Sequence, residues 1–145
     1  GMKIHIGVDK ATKLAHSLVT TPANVHDSHL IGELLHGGES GVWGDSAYMG
    51  KTEEINDKAP MASDNTNKRS TRNRKLTEEE KERNKMLSKT RVRVEHVFGV
   101  VKNVFGYRKV RYKGFEKNTN GIHVLFALSN LYMVRRELLS LLAGV

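Results

Sequence analysis

Two carboxylates in the sequence lie where catalytic chemistry is possible. Asp45 follows a short apolar segment at positions 42–43, and a carboxylate at the carboxyl end of a strand commonly faces the ligand crevice of an α/β sheet. Glu95 lies in a second segment, four residues after Arg91. Both carboxylates are therefore candidates for a functional site. For Asp45, position alone favours the other interpretation, a turn-forming aspartate before a helix.

The charged residues around Glu95 have helical spacing. At 3.6 residues per turn, Arg91, Glu95 and Lys102 fall within an arc of about 40°. They border an apolar stripe, so a carboxylate held between two cations could bind a metal while its neighbours bind phosphate. The alternative is an intrahelical ion pair worth only about 0.3–0.5 kcal/mol, and spacing alone favours that alternative modestly. The stripe comprises Val94, Val97, Phe98, Val101, Val104 and Phe105.

The histidines give a weaker indication of a metal site. His26 and His29 flank Asp27, but capping of a helix by Asp27 is the favoured interpretation of this segment. The four scattered histidines are predicted to be structural or surface residues: His5, His16, His36 and His123.

The charge balance indicates a polyanionic partner. The 145 residues carry a formal charge of +8 and have a pI near 9.8, and clustered cations release counterions from phosphates. There is no stretch of 18 apolar residues, no signal peptide and no cysteine, which argues against a membrane span and fits a cytoplasmic protein. One basic run could contact DNA phosphates or form a solvated loop: Lys68, Arg69, Arg72, Arg74 and Lys75.

The hydrophobic periodicity predicts an α/β layer arrangement in a single domain over residues 1–145. We expect a strand over 2–8, a return strand over 14–20, a short helix from Asp27 or Ser28 to Leu35, and a strand at 42–43. Residues 51–75 are predicted to form a basic, flexible connection. A capping box at Thr77 and Glu80 predicts a long helix to about residue 103, broken near 88–90. A final helix over about 119–142 is apolar over most of its circumference and is predicted to be core.

Taken together, these segments resemble the DDE transposases of bacterial insertion sequences, specifically the fifth insertion-sequence family and its relatives. The resemblance covers nearly the whole chain and corresponds to the carboxy-terminal catalytic portion of those enzymes. An ordered set of matches over this length is specific, whereas any single segment would not be. The matching segments are Met2 to Asp9, Thr20 to Asp27, Gly44 to Gly50, Arg91 to Lys102 and His123 to Leu131.

The resemblance implies a ribonuclease-H-like mixed sheet with flanking helices. It assigns Asp45 as the second and Glu95 as the third catalytic, metal-binding carboxylate. It places Arg91 and Lys102 on DNA phosphates and Tyr48 in the site lining. It further implies two Mg²⁺ or Mn²⁺ ions, and cleavage and strand transfer of double-stranded DNA at transposon ends and target. We also expect a homo-oligomer close to the bacterial nucleoid.

The sequence departs from the family pattern at two places. Ser88 stands where the family often carries a tyrosine three residues before the arginine. The family's first aspartate lies upstream of the matched region, and Asp9 is the only nearby substitute. The strand that carries this first aspartate is normally central, so we expect unpaired strand edges that self-association or a rearranged sheet covers.

Three other functions remain open on the sequence. The chain could be a DNA-binding remnant of a transposase without cleavage activity. It could be a metal-dependent nuclease of the same fold that performs no strand transfer. It could also be a basic structural protein in which Arg91 and Glu95 form an ordinary ion pair, although this does not explain the ordered set of segments.

Overall fold

A hairpin, a small pair of parallel strands and two long helices make up the computed structural model, which describes residues 1–144. The α/β class predicted from the sequence is confirmed. Two 3-10 turns, Asp27–Leu30 and Ser46–Tyr48, precede α1 and α2. The elements are β1 (Met2–Val8), β2 (Ala15–Pro22), α1 (Ile31–Leu34), β3 (Gly41–Val42), α2 (Thr52–Lys58), β4 (Ser63–Asp64), α3 (Glu78–Asn103) and α4 (Phe115–Ala143).

The antiparallel hairpin of β1 and β2 forms where alternating residues predicted it. Its register pairs Met2 with Pro22 and shifts near the turn, between Gly7 and Val8. Asp9 holds that turn, because its Oδ1 accepts hydrogen bonds from the backbone N–H of Ala11 at 3.0 Å and of Thr12 at 2.6 Å. The turn fixes the strand register and so determines which β1 side chains face the core.

The strands β3 and β4 form a second, separate sheet. They are parallel, and Val42 pairs with Asp64. Within residues 1–144 neither two-stranded sheet is joined to the other, so a continuous ribonuclease-H-like sheet is not present. Each sheet therefore has unpaired edges within these residues.

Residues 51–75 contain more regular structure than a flexible connection would. They include α2 and β4. Ile55 and Ala59, one helical turn apart in and just after α2, are fully buried and pack with Ile31 and Val42. Two apolar positions in a polar segment give too weak a period to predict a helix, and tertiary packing supplies the missing stabilisation.

The predicted capping box starts α3. Thr77 Oγ1 accepts a hydrogen bond from the Glu80 N–H, and the Glu80 carboxylate accepts one from the Thr77 N–H. The helix then runs without the expected break at 88–90.

The 3-10 turn Asp27–Leu30 begins differently from the prediction. Its N-cap is His26, and Asp27 instead forms an ion pair with Lys3 at 3.0 Å. The prediction of capping by Asp27 was therefore wrong.

The last helix, α4, is buried on one side only. Its inner side packs Ile122 and Phe126 against Val97 and Val101 of α3 and against Ile6 of β1. The prediction that α4 is core on most of its circumference was wrong, because no described layer covers its outer side. Large apolar side chains exposed on that side include Val124, Leu128, Leu131, Leu138 and Leu142.

Candidate active site

A cavity of about 430 Å³ lies between the two sheets, closed by α1 and by the middle of α3. All five residues from Ile4 to Val8 and all five from Gly41 to Asp45 line it. Successive side chains of a strand point to opposite faces of the sheet. A cavity on one face would therefore contact only every second residue, whereas a cavity that contacts every residue lies along the edge of the strand. The cavity therefore separates an edge of β1 from an edge of β3.

Asp45 lines this cavity, three residues after the end of β3. One carboxylate oxygen, Oδ1, accepts the Ala47 N–H at 2.8 Å and so caps the 3-10 turn. The other, Oδ2, lies 3.9 Å from Nη2 of Arg91. The turn-forming and the functional interpretations of Asp45 are thus compatible, because the turn occupies one oxygen and directs the other across the cavity.

The helix α3 contributes Arg91 and Glu95 to the same cavity. These residues lie one turn apart on one face of the helix, and both border the cavity. The Glu95 side chain is exposed and forms no ion pair with the residues described. Its carboxylate therefore remains available for a ligand, whereas the Arg91 guanidinium balances part of the Asp45 charge.

Tyr48 closes the same side of the cavity. Burial, and then the nearby carboxylates of Asp45 and Asp27, raise the pKa of Tyr48 to about 12. Both effects disfavour the phenolate. The hydroxyl therefore keeps its proton at neutral pH and can donate a hydrogen bond to an anionic ligand.

Two expected residues fit the site less directly. Lys102 is exposed and does not line the cavity, since it lies two helical turns beyond Glu95. Asp9 does line the cavity, but its Oδ1 also accepts a hydrogen bond from Thr12 Oγ1 at 2.8 Å. These turn hydrogen bonds, with those from the backbone of Thr12 first, lower the pKa of Asp9 and tie its carboxylate to the hairpin turn.

The donor set suits a hard divalent cation. Asp45 Oδ2 and the Glu95 carboxylate are oxygen donors without backbone partners, and Mg²⁺ and Mn²⁺ prefer such ligands. Carboxylates also outnumber Lys and Arg among the lining residues, which favours a cation in the cavity. The carboxylates are Asp9, Asp27, Glu39, Asp45 and Glu95, and the cations are Lys10, Arg91 and Arg93.

The predicted basic run lies outside the cavity, and only two of its five cations form ion pairs within the described residues. Lys68 and Arg74 bind the Glu80 carboxylate at 3.0 and 2.6 Å, and these two contacts, with that of Lys68 first, lower the pKa of Glu80 to about 2. The other three cations of the run, Arg69, Arg72 and Lys75, are exposed. Part of the run therefore anchors the loop to α3, and part faces solvent.

The family model for the transposase DDE domain matches residues 1–131. The chain belongs to the transposase DDE domain family. A search of the solved structures found no significant match for this transposase domain. Within residues 1–144, none of its helices combines the length and the apolar character that a membrane span requires.

Some residues of the transposase domain line the cavity although no sequence motif predicts that they lie together. Lys10 Nζ lies 4.3 Å from the centroid of the Trp43 ring, which links the hairpin turn to the segment after β3. His16, His36 and Glu39 also come together there. Their separation along the chain follows no metal-binding motif, so only the packing of the hairpin against the segment after α1 reveals them.

Proposed function

We propose that this domain carries out metal-dependent phosphoryl transfer on DNA, namely strand cleavage and strand transfer in the transposition of an insertion sequence of the fifth family or its relatives. The observation that carries the proposal is the convergence of Asp45, Arg91 and Glu95 on one cavity in a transposase DDE domain. The proposed partner is double-stranded DNA, and the charge of +8 favours its binding. We also propose that the working assembly is a homo-oligomer in the cytoplasm.

Each residue of the cavity has a proposed role. Asp45 Oδ2 and the Glu95 carboxylate hold divalent metal ions, which when bound lower the pKa of an attacking water and stabilise the leaving oxygen. The Arg91 guanidinium orients the phosphate and neutralises charge that develops on its oxygens. Tyr48 donates its hydroxyl proton in a hydrogen bond to a phosphate oxygen. Lys102, further along α3, binds a phosphate outside the cavity.

The first carboxylate of the proposed site comes from a further strand. Asp9 is held in the hairpin turn by three hydrogen bonds to its Oδ1, and this turn limits how far its carboxylate can move towards Asp45 and Glu95. The edges of β1 and β3 that border the cavity are unpaired within residues 1–144. A strand inserted there would satisfy backbone groups on both edges and would place a side chain near Asp45 and Glu95.

The experiment is a matched substitution series in the full transposase with its DNA ends. Asp45→Asn and Glu95→Gln remove the charge of each proposed metal ligand at nearly constant volume. We expect each to reduce strand cleavage by at least about 100-fold, the loss seen even for groups that only support metal ligands. Binding of the DNA should persist, because neither substitution removes a cation that could contact a phosphate.

The controls are the same chemical changes outside the cavity. Asp57→Asn on α2 and Glu82→Gln on α3 alter exposed residues that do not line it. Both variants should retain cleavage and should bind Mn²⁺, measured by electron paramagnetic resonance, as the unaltered protein does. Retained cleavage in Asp45→Asn or Glu95→Gln would refute the assigned ligands.

A DNA-binding remnant without cleavage is the second candidate, and the exposed cations Arg69, Arg72 and Lys75 favour it. Salt-dependent DNA binding with no metal-dependent cleavage by the full transposase would support the remnant. A nuclease of the same fold is distinguished by its products, because it would yield cut DNA but no joined DNA.

A further inference from the structure

We propose that His16, His36 and Glu39 form a second metal site, specific for a divalent transition metal such as Zn²⁺ and separate from the Asp45 and Glu95 carboxylates. One potential ligand atom of each residue lies within 4.8 Å of the other two. The ligands of a tetrahedral zinc ion lie about 3.3 Å apart, given bonds of about 2.0–2.1 Å. The ligand atoms therefore need to approach one another by at most about 1.5 Å.

One pair of ligand atoms already lies close to the required separation. His36 Nε2 lies 3.5 Å from Glu39 Oε1. The rings of His16 and His36 meet edge to face, with centroids 4.9 Å apart. This arrangement brings two imidazoles close together without stacking their faces, which leaves ring nitrogens free to converge on one ion.

Hydrogen bonds orient the ligands from behind. The Ser17 hydroxyl lies 2.7 Å from Nδ1 of His16, and if it accepts the Nδ1 proton the Nε2 lone pair is left for the metal. The two Glu39 oxygens accept the backbone N–H groups of His36 at 2.7 Å and Gly37 at 2.8 Å. Outer contacts of this type fix the orientation of metal ligands.

One hydrogen bond opposes metal binding, but breaking it costs little free energy. His36 Nδ1 accepts the Gly38 N–H at 3.2 Å, which places the proton of the neutral ring on Nε2. When Nε2 binds the metal, that proton moves to Nδ1, and the Gly38 N–H is released. Gly38 is exposed, so water replaces this long hydrogen bond.

The donor types determine the metal. Two imidazole nitrogens and one carboxylate suit Zn²⁺, Co²⁺ or Ni²⁺, whereas Mg²⁺ and Ca²⁺ prefer oxygen ligands throughout. Three protein ligands leave a fourth position open to water. Bound metal would also tie β2 to the segment between α1 and β3 at this end of the cavity.

The test is a titration of the tag-free protein with Co²⁺, followed by its visible absorption. We expect one Co²⁺ per chain with the strong absorption of a four-coordinate site, displaced by Zn²⁺ but not by excess Mg²⁺. His16→Ala and His36→Ala should each weaken Co²⁺ binding by at least about 100-fold, since loss of an outer-shell contact alone costs about 10–100-fold.

The matched control is His123→Ala, which removes an exposed histidine of α4 outside the cavity. This variant should bind Co²⁺ as the unaltered chain does. Circular dichroism establishes that each variant is folded, and Glu39→Gln provides a further variant that retains both imidazoles. The proposal is overturned if the unaltered chain gives no four-coordinate Co²⁺ spectrum, or if the spectrum persists in both His16→Ala and His36→Ala. Neither outcome bears on cleavage at Asp45 and Glu95.

Discussion

The two proposed metal sites, at the two ends of the cavity, have different structural supports. At one end, Arg91 and Glu95 project from α3, a helix of 26 residues, and Asp45 caps a turn directly opposite. At the other, Glu39 and His36 lie on an irregular segment and His16 on β2. Sites on regular elements hold their geometry more closely than sites on loops. The carboxylate end is therefore the better preorganised, and the imidazole end depends more on its ligand for order.

The largest expected effect comes from Gly7, which supports only the imidazole end. A Cβ at this position would lie 2.7 Å from His16 Cε1 and 2.8 Å from the Leu34 carbonyl oxygen. Gly7→Ala must therefore displace the His16 ring and the end of α1, and we expect it to destabilise the fold by about 1–3 kcal/mol. Urea denaturation measures this change.

Gly99 in α3 is the matched control for Gly7. A Cβ there meets nothing within 4 Å, so Gly99→Ala should stabilise the protein by about 0.5–1 kcal/mol. Equal changes in the free energy of unfolding for Gly7→Ala and Gly99→Ala would contradict the close approach of His16 and Leu34 to Gly7. Co²⁺ binding should decrease only in Gly7→Ala, which would separate the two ends of the cavity.

At the carboxylate end we expect a smaller effect, in which a substitution strengthens metal binding instead of weakening it. The Arg91 guanidinium, 3.9 Å from Asp45 Oδ2, competes with a cation for that oxygen. Because both groups are partly exposed, the pair contributes at most about 1 kcal/mol, and Arg91→Gln should tighten Mn²⁺ binding by about two- to fivefold. The same variant should weaken DNA binding. Unchanged or weaker Mn²⁺ binding would contradict the competition.

The smallest expected effect is on the stability of the protein at low pH, through Glu80 at the start of α3. This helix carries Arg91 and Glu95 of the carboxylate end. The bound Lys68 and Arg74 lower the pKa of Glu80 from its ordinary 4.5 to about 2. A lowered folded-state pKa means that the contribution of Glu80 to stability is complete above pH 4.5 and is lost as the pH falls towards 2. The stability difference between the unaltered chain and Glu80→Gln should therefore shrink over this interval. A difference that stays constant from pH 6 to pH 2 would rule out the ionic contribution.

Local signals in the sequence were sufficient for the elements that position the carboxylates. The alternation of residues 2–8 predicted β1, and the capping box at Thr77 predicted the start of α3. The family resemblance, now supported by the match over residues 1–131, pointed to Asp45 and Glu95. Their metal-binding role stays a prediction.

Features that depend on contacts between distant segments were beyond the sequence. His16 and His36 are 20 positions apart, and no spacing rule brings them together. The apolar outer side of α4 resembled a core pattern because periodicity records which residues are apolar and not whether a layer covers them. The two separate sheets likewise follow from which strand edges meet, a property of tertiary pairing.

The outer side of α4 has a consequence for how the protein behaves in concentrated solution. Val124 and Leu142, 60% and 72% exposed, mark two ends of an apolar surface that favours contact with other molecules. Copies carrying a charge of +8 repel one another, but added salt screens that repulsion over about 10 Å at 0.1 M and leaves apolar attraction in place. The colloidal stability of the chain is therefore expected to be greatest at low ionic strength.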